Sequence, residues 1–119
     1  MRKVKFSVEK ESVDEMRAAG RFNPGLKVIM PNEDEIPISA GYADYIAVYQ
    51  DKKGVLVTSF NPGLEYFGAE YFDAGDIDKP LTSIFLQGEG QIAEAFGTKS
   101  MPWDLEPKDV VKMVTSILF

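Results

Sequence analysis

The chain has 119 residues, a formal net charge of -6 at pH 7, and neither cysteine nor histidine. Without these two residue types it lacks Ser-His-Asp and Cys-His catalysis, disulfides and nearly every transition-metal site. The excess of acidic side chains disfavours nucleic acid and anionic membranes as partners, because like charges repel. We therefore expect no cofactor, no nucleic-acid partner and no membrane partner.

The length and composition fit a single globular domain over residues 1–119, because 45% hydrophobic residues are ample for one core. No run of apolar residues is long enough to span a membrane, and the opening MRKVKFSVEK has no apolar signal-peptide core. These features favour the cytoplasm.

The hydrophobic periodicity and a helix-capping motif predict the first elements of the chain. Apolar residues alternate with polar ones over residues 3–9, which predicts a half-buried strand. Ser12 and Glu15 have the spacing of a capping box, so a short helix is expected over residues 12–20, ended by Gly20. A strand follows at residues 27–30.

Residues 36–38 read Ile-Pro-Ile, and a proline inside a strand confines that strand to an edge or a bulge.

The strongest sequence pattern is that of a β-hairpin. Tyr45 to Tyr49 and Val55 to Val57 are rich in β-branched and aromatic residues, and they flank a polar turn ending at Gly54. Neither face of this predicted hairpin is cleanly polar, so both strands should be central and covered on both faces.

The pentapeptide FNPGL occurs twice, at residues 22–26 and 60–64. Proline followed by glycine is typical of a type II turn, because proline presets its own φ and glycine accepts a positive φ. Two structural turns are favoured over a paired ligand-binding motif.

Ile84 to Leu86 is a candidate buried strand, and a short helix is expected over residues 91–97. Between them, Gly88 to Ala93 has the outline of a dinucleotide-binding turn, G-x-G-x-x-A. A plain turn is favoured, because the helix is short and Glu89 would repel phosphate.

The C-terminal residues 106–119 carry apolar side chains at helical spacing, with Pro107 at the first helical position. We expect this helix to pack on a sheet, with homo-oligomerisation through Val110 to Phe119 as an alternative. The fold class is therefore α+β: a single small domain with a mainly antiparallel sheet of about five or six strands and a C-terminal amphipathic helix on one face.

The candidate functional segment is residues 65–78, where Glu-Tyr-Phe occurs twice. If the segment is an exposed strand, neighbouring aromatic side chains point to opposite faces and some must meet solvent beside carboxylates. Such a surface suits a protein partner with a basic surface. The candidate partner-binding residues are Glu65, Tyr66, Glu70, Tyr71, Phe72 and Asp73. The alternative is a central strand in which the aromatic side chains belong to the core.

Asp73, Asp76 and Asp78 could offer oxygen ligands to a divalent cation, but they do not match the EF-hand pattern, so a solvated acidic loop is favoured.

The leading interpretation of the whole chain is a small acidic, non-catalytic interaction or regulatory domain. The first alternative is a carboxylate-based enzyme or binder of small molecules or divalent metals, which needs two carboxylates converging in a pocket. The second is a self-associating structural subunit.

Overall fold

The computed structural model describes residues 1–20, 25–39, 43–97 and 101–119. Its strands are β1 Arg2–Val4, β2 Ser7–Lys10, β3 Leu26–Ile29, β4 Glu35–Ile38, β5 Tyr45–Gln50, β6 Gly54–Asn61, β7 Tyr66–Asp73 and β8 Thr82–Gln87. Its α-helices are α1 Val13–Ala18, α2 Glu89–Phe96 and α3 Pro107–Leu118. Short 3₁₀ helices span Pro62–Leu64 and Pro102–Asp104.

The strands form two antiparallel sheets, one of five strands in the order β1-β5-β6-β7-β8 and one of three in the order β2-β3-β4. The three-stranded sheet covers one face of the five-stranded sheet, and α2 and α3 pack on the other. The α+β class with a C-terminal helix on one face is confirmed. The second sheet was not predicted.

The β5–β6 hairpin lies at the centre of the larger sheet, as predicted. Val48 pairs with Val57 on the face toward the smaller sheet, whereas Tyr49 pairs with Leu56 on the face toward the helices. All four side chains are buried. The turn is closed by Asp51, whose carboxylate accepts backbone hydrogen bonds from Lys53 and Gly54 at 2.8 and 3.0 Å. Both faces are apolar because each meets a different layer of the protein.

The single strand predicted over residues 3–9 is instead two strands in different sheets. β1 pairs with β5, whereas β2 pairs with β3. Phe6, between them, is half-buried in the core that joins the two sheets. The alternating pattern is continuous along the sequence, so it could not reveal that the chain changes partner midway.

Helix α1 has the predicted capping box. The Ser12 hydroxyl accepts a hydrogen bond from the Glu15 backbone at 3.2 Å, and the Glu15 carboxylate accepts one from the Ser12 backbone at 3.1 Å. Gly20 follows the helix with a φ of 72°. Met16 is the buried residue of the helix. Both ends were therefore predicted correctly.

The edge strands give one confirmed prediction and one that is wrong in part. β4, which contains Pro37, lies at an edge of the smaller sheet as predicted. β8 lies at an edge of the larger sheet, so the prediction that Ile84 to Leu86 is buried holds for Leu86 but not for Phe85, which is 44% exposed. One face of β8 packs under the helices, and the other does not.

The second FNPGL copy forms a turn, but not of type II. Gly63 does not take a positive φ, and the segment is 3₁₀-helical. The Asn61 side chain accepts a hydrogen bond from the Leu64 backbone at 3.2 Å, and the positive φ, 51°, falls on Glu65. The turn is thus stabilised by the Asn61 side-chain cap and does not need a positive φ at Gly63. In the first copy, residues 22–24 lie outside the described residues.

At the C-terminal end, α2 begins at Glu89 after Gly88, whose φ is 95°, and ends at Gly97 in the left-handed conformation. Because β8 is antiparallel to β7, the G-x-G-x-x-A outline is a strand-to-helix turn rather than part of a parallel dinucleotide-binding unit. Helix α3 starts at Pro107 as predicted and buries Val110 and Val114. In the described ranges, no helix combines the length and the apolar character needed to cross a membrane.

Candidate functional site

Strand β7 divides the predicted site residues between its two faces. Phe67, Ala69 and Tyr71 point toward the helices, and Phe72 belongs to the core between the sheets. Because side chains alternate along a strand, Tyr66, Gly68 and Glu70 share the face of Phe72. The face of β7 that carries Phe67, Ala69 and Tyr71 is covered by the helices, and Phe72 on the other face is covered by the smaller sheet.

The exposed acidic-aromatic surface expected over residues 65–78 is therefore not present as one surface. Glu70 is 4% exposed, Tyr71 9% and Phe72 0%. Of the six candidate partner-binding residues, only Glu65, just before β7, and Asp73, at its end, are exposed, and Tyr66 is half-buried. The alternative interpretation, a central strand with its aromatic side chains in the core, is correct for Tyr71 and Phe72. Burial follows from the layers that pack on the two faces of β7, the helices and the smaller sheet, which the local sequence does not specify.

Tyr66 and Glu70 remain together at one place, beside a pocket of about 410 Å³ lined by Ser39, Leu64, Tyr66, Phe85 and Gln87. We call it the Tyr66–Phe85 pocket. Gly68 lies beside both aromatic side chains: a Cβ atom added there would lie 2.7 Å from the Tyr66 hydroxyl, 2.9 Å from the Phe85 ring and 3.0 Å from the Ser59 hydroxyl. The two aromatic side chains can converge only because residue 68 has no side chain.

Glu70 lies behind this pocket. Its carboxylate oxygen Oε1 accepts a hydrogen bond from the backbone N–H of Ser39, a pocket residue, at 2.8 Å. Burial raises the pKa of Glu70 above its ordinary value, and the hydrogen bond from Ser39 opposes part of that shift. The described contacts of the carboxylate thus join strand β7 to the end of β4, across the two sheets.

The Tyr66 hydroxyl is tuned by the same group of side chains. Burial raises its pKa, a hydrogen bond with the Ser59 side chain lowers it, and the negative charge of Glu70 raises it. The phenol therefore stays protonated at neutral pH and keeps a proton that it can donate. Around one point the structure collects a buried carboxylate, a neutral phenol and the ring of Phe85.

The acidic loop after β7 does not form a cation site in the described part of the chain. The Asp73 carboxylate accepts a hydrogen bond from the Gly75 backbone at 2.8 Å, and the Asp76 carboxylate accepts one from the Asp78 backbone at 3.3 Å. Both bonds are local turn contacts. Among the described residues, no group of three or more acidic side chains is placed to hold a metal ion.

The predicted oligomerisation segment, Val110 to Phe119, contributes part of its apolar surface to the core of the protein. Val110 and Val114 are buried against the sheet, and the exposed ring of Phe119 packs edge-on against Tyr71 with centroids 4.9 Å apart. Self-association through the remaining surface stays a prediction.

Sequence reasoning missed Ser39, Leu64, Phe85 and Gln87 as pocket residues, and Ser59 as the hydrogen-bond partner of Tyr66. A signal existed for β8: Ser83, Phe85 and Gln87 alternate with Ile84 and Leu86, so the apolar run carries one polar-flanked face. Ser39 and Ser59 gave no signal, because Ser39 comes near Glu70 only through the packing of the two sheets, and Ser59 meets Tyr66 only through the pairing of β6 with β7. The chain matches no protein-family model, no curated protein sequence and no solved structure.

Proposed function

We propose that this protein is a non-catalytic interaction domain that binds a basic side chain, lysine or arginine, of a partner protein in the Tyr66–Phe85 pocket. The observation that carries the proposal is the position of Glu70, a buried carboxylate bonded to one pocket residue, Ser39, and adjacent to another, Tyr66. The sequence predicts a partner protein with a basic surface, and the proposal specifies one contact with that partner, a lysine or arginine side chain in the pocket.

Charge supports a cationic ligand. The five lining residues carry no charged side chain, so a cation entering the pocket meets no positive group among them. The negative charge of Glu70 lies in a region of low dielectric, where a charge is screened less than in water. The net charge of -6 also favours the approach of a basic partner at long range.

The aromatic lining supports the same ligand. A lysine or arginine side chain lying against the ring of Tyr66 or Phe85 would gain cation-π energy of about 0.5–2 kcal/mol per ring, depending on its desolvation. Its aliphatic stem would pack against Leu64, which is 53% exposed. The amide of Gln87 and the hydroxyl of Tyr66 offer polar contacts.

Catalysis is supported less well. The enzyme alternative needs two carboxylates converging in a pocket, whereas Glu65 turns away and accepts a hydrogen bond from the Glu89 backbone at 3.3 Å. One buried carboxylate and one neutral phenol can bind a cation without performing a reaction on it. We retain the cytoplasm as the proposed compartment.

The test is titration of the labelled protein with N-acetyl-lysine methylamide and N-acetyl-arginine methylamide, followed by NMR chemical shifts. N-acetyl-norleucine methylamide, which has an apolar chain without charge, is the matched neutral ligand. We expect the two cationic ligands to shift the resonances of Tyr66 and Phe85, and the neutral ligand to leave them in place.

The variant Glu70→Gln keeps an acceptor for the Ser39 N–H but removes the charge, and we expect it to weaken cation binding by about tenfold or more. Asp73→Asn is the matched control, because it removes an exposed charge from the same strand. Equal binding of the cationic and neutral ligands, or unchanged binding by a folded Glu70→Gln protein, would overturn the proposal.

A further inference from the structure

Strand β8 is the last strand of the five-stranded sheet, and no strand of the described residues pairs with its outer side. Gly88, just after it, donates a backbone hydrogen bond toward β7, to the Glu65 carbonyl at 2.8 Å. Gln87 instead donates its N–H to the side chain of Gln91 at 2.8 Å. Because backbone groups alternate in direction along an antiparallel strand, the N–H and C=O groups of Ser83 and Phe85 point away from β7.

This edge lacks the features that usually prevent a further strand from pairing. β8 contains no charged residue and no proline, and Phe85 is 44% exposed. The other edge of the same sheet, β1, has only three residues and carries Arg2 and Lys3. Charges and prolines on edge strands discourage pairing, so in the described part of the chain β8 is the edge of this sheet better suited to pairing.

The open edge lies beside the Tyr66–Phe85 pocket. Ser83 is directly opposite Glu70 in the β7–β8 register, Phe85 is opposite Gly68, and Gln87 is opposite Tyr66. A strand added to β8 would therefore place alternate side chains on the same face as Glu70. It would lie two strand spacings from β7, about 9–10 Å, which a lysine or arginine and a glutamate side chain can bridge together.

We infer that the partner binds as an extended segment that adds an antiparallel strand to the open edge of β8 and directs a lysine or arginine side chain toward Glu70. The inference rests on the proposed function and specifies how the basic residue is presented. Backbone hydrogen bonds to Ser83 and Phe85 supply affinity, and the pocket supplies selectivity for the basic side chain. The Gln91 side chain, already bonded to Gln87, ends the pairing on that side.

The geometry specifies which backbone amide of the ligand must be free. In an antiparallel pair, a residue directly opposite Phe85 has its side chain on the same face as Phe85 and its own N–H directed at β8. The N–H groups of the two flanking residues point away. N-methylation of the basic residue should therefore block pairing, whereas N-methylation of the next residue should not.

The experiment compares three blocked pentapeptides, Thr-Val-Lys-Val-Thr unmodified, N-methylated at lysine, and N-methylated at the following valine, by calorimetric titration of the full chain. We expect methylation at lysine to weaken binding about tenfold or more and methylation at valine to change it by less than about twofold. Equal effects of the two modifications, or the reverse order, would overturn the strand-addition inference.

A protein variant tests the same edge from the other side. Ser83→Pro removes an outward N–H and adds a ring there, a change that an edge strand tolerates, and Ser83→Ala is the matched control. We expect Ser83→Pro to lose peptide binding while still binding N-acetyl-lysine methylamide, and Ser83→Ala to keep both. Peptide binding by a folded Ser83→Pro protein at wild-type affinity would overturn the inference.

Two other outcomes separate the proposals. If N-acetyl-lysine methylamide binds in a Glu70-dependent manner but the pentapeptide gains nothing over it, strand addition fails and the proposed function stands. If neither ligand binds, the proposed function fails. A doubled mass in solution that Ser83→Pro returns to the monomer would assign the edge to a second copy of this chain and overturn the inference.

Discussion

Three glycines of this protein provide a graded test of the packing around the candidate site. Gly54 begins β6, Gly68 lies on β7 beside the side chains of Tyr66 and Phe85, and Gly90 lies in α2. Replacing each by alanine adds the same single methyl group to three different surroundings. The expected order of stability is Gly90→Ala above the wild type, then Gly68→Ala, then Gly54→Ala.

The magnitudes follow from what each added Cβ would meet. At Gly54 it would overlap the backbone carbonyl of Phe72 and lie 2.5 Å from the Tyr71 hydroxyl, and a central strand cannot move aside, so we expect a loss of about 3 kcal/mol. At Gly68 the close atoms belong to side chains, among them the exposed Phe85, so we expect about 1–2 kcal/mol. Gly90 has nothing within 4 Å, and alanine there should stabilise the protein by about 0.5–1 kcal/mol.

The assay is urea unfolding followed by Trp103 fluorescence and by circular dichroism, with thermal midpoints as a second measure. A change of 1 kcal/mol corresponds to a midpoint shift of about 4 °C for a domain of this size. Gly68→Ala should in addition weaken binding of N-acetyl-lysine methylamide, because Tyr66 and Phe85 are pushed apart. Equal stabilities of Gly54→Ala and Gly90→Ala would refute the reasoning, because an added Cβ atom would then meet no more steric overlap at Gly54 than at Gly90.

Two further predictions concern charge and helix packing. Burial raises the pKa of Glu70 above its ordinary value of 4.5, so ionising this group costs more in the folded than in the unfolded chain, and stability should fall as pH rises from 4.5 through the raised value. Glu70→Gln should remove that decline in stability. If the free energy of unfolding depended on pH in the same way in the wild type and in Glu70→Gln, this prediction would be contradicted. Val114→Ala, at a fully buried position of α3, should cost about 2 kcal/mol in urea unfolding, whereas the exposed Ser116→Ala should change stability by less than about 0.5 kcal/mol. If Val114→Ala left the free energy of unfolding unchanged, the packing of α3 would not stabilise the sheet.

Local sequence was sufficient for the elements whose signals are complete within a few residues. The capping box of Ser12 and Glu15 defines the start of α1, Pro37 identifies an edge strand, and the apolar stripe beginning after Pro107 defines α3. Each of these signals depends on a hydrogen bond, a missing donor or a periodicity that the segment carries by itself.

The sequence also indicated that β5 and β6 are covered on both faces, because neither face is polar. It could not show what covers them. The separation of residues 2–10 into two strands of different sheets, and the burial of Tyr71 and Phe72, depend on which strands become neighbours. Pairing between distant segments is decided by the packing of the whole chain, and the same local pattern fits either partner.

The candidate site shows the same division. Sequence alone picked out Tyr66 and Glu70 in an acidic-aromatic segment, and their spacing of four residues places them on one face of a strand. Only the tertiary structure brought Ser39 from β4's end and Phe85 from β8 to that face, and only it buried Glu70. A carboxylate acquires its altered pKa from the low-dielectric surroundings that distant residues provide, so the residue types were set by the sequence and their chemistry by the fold.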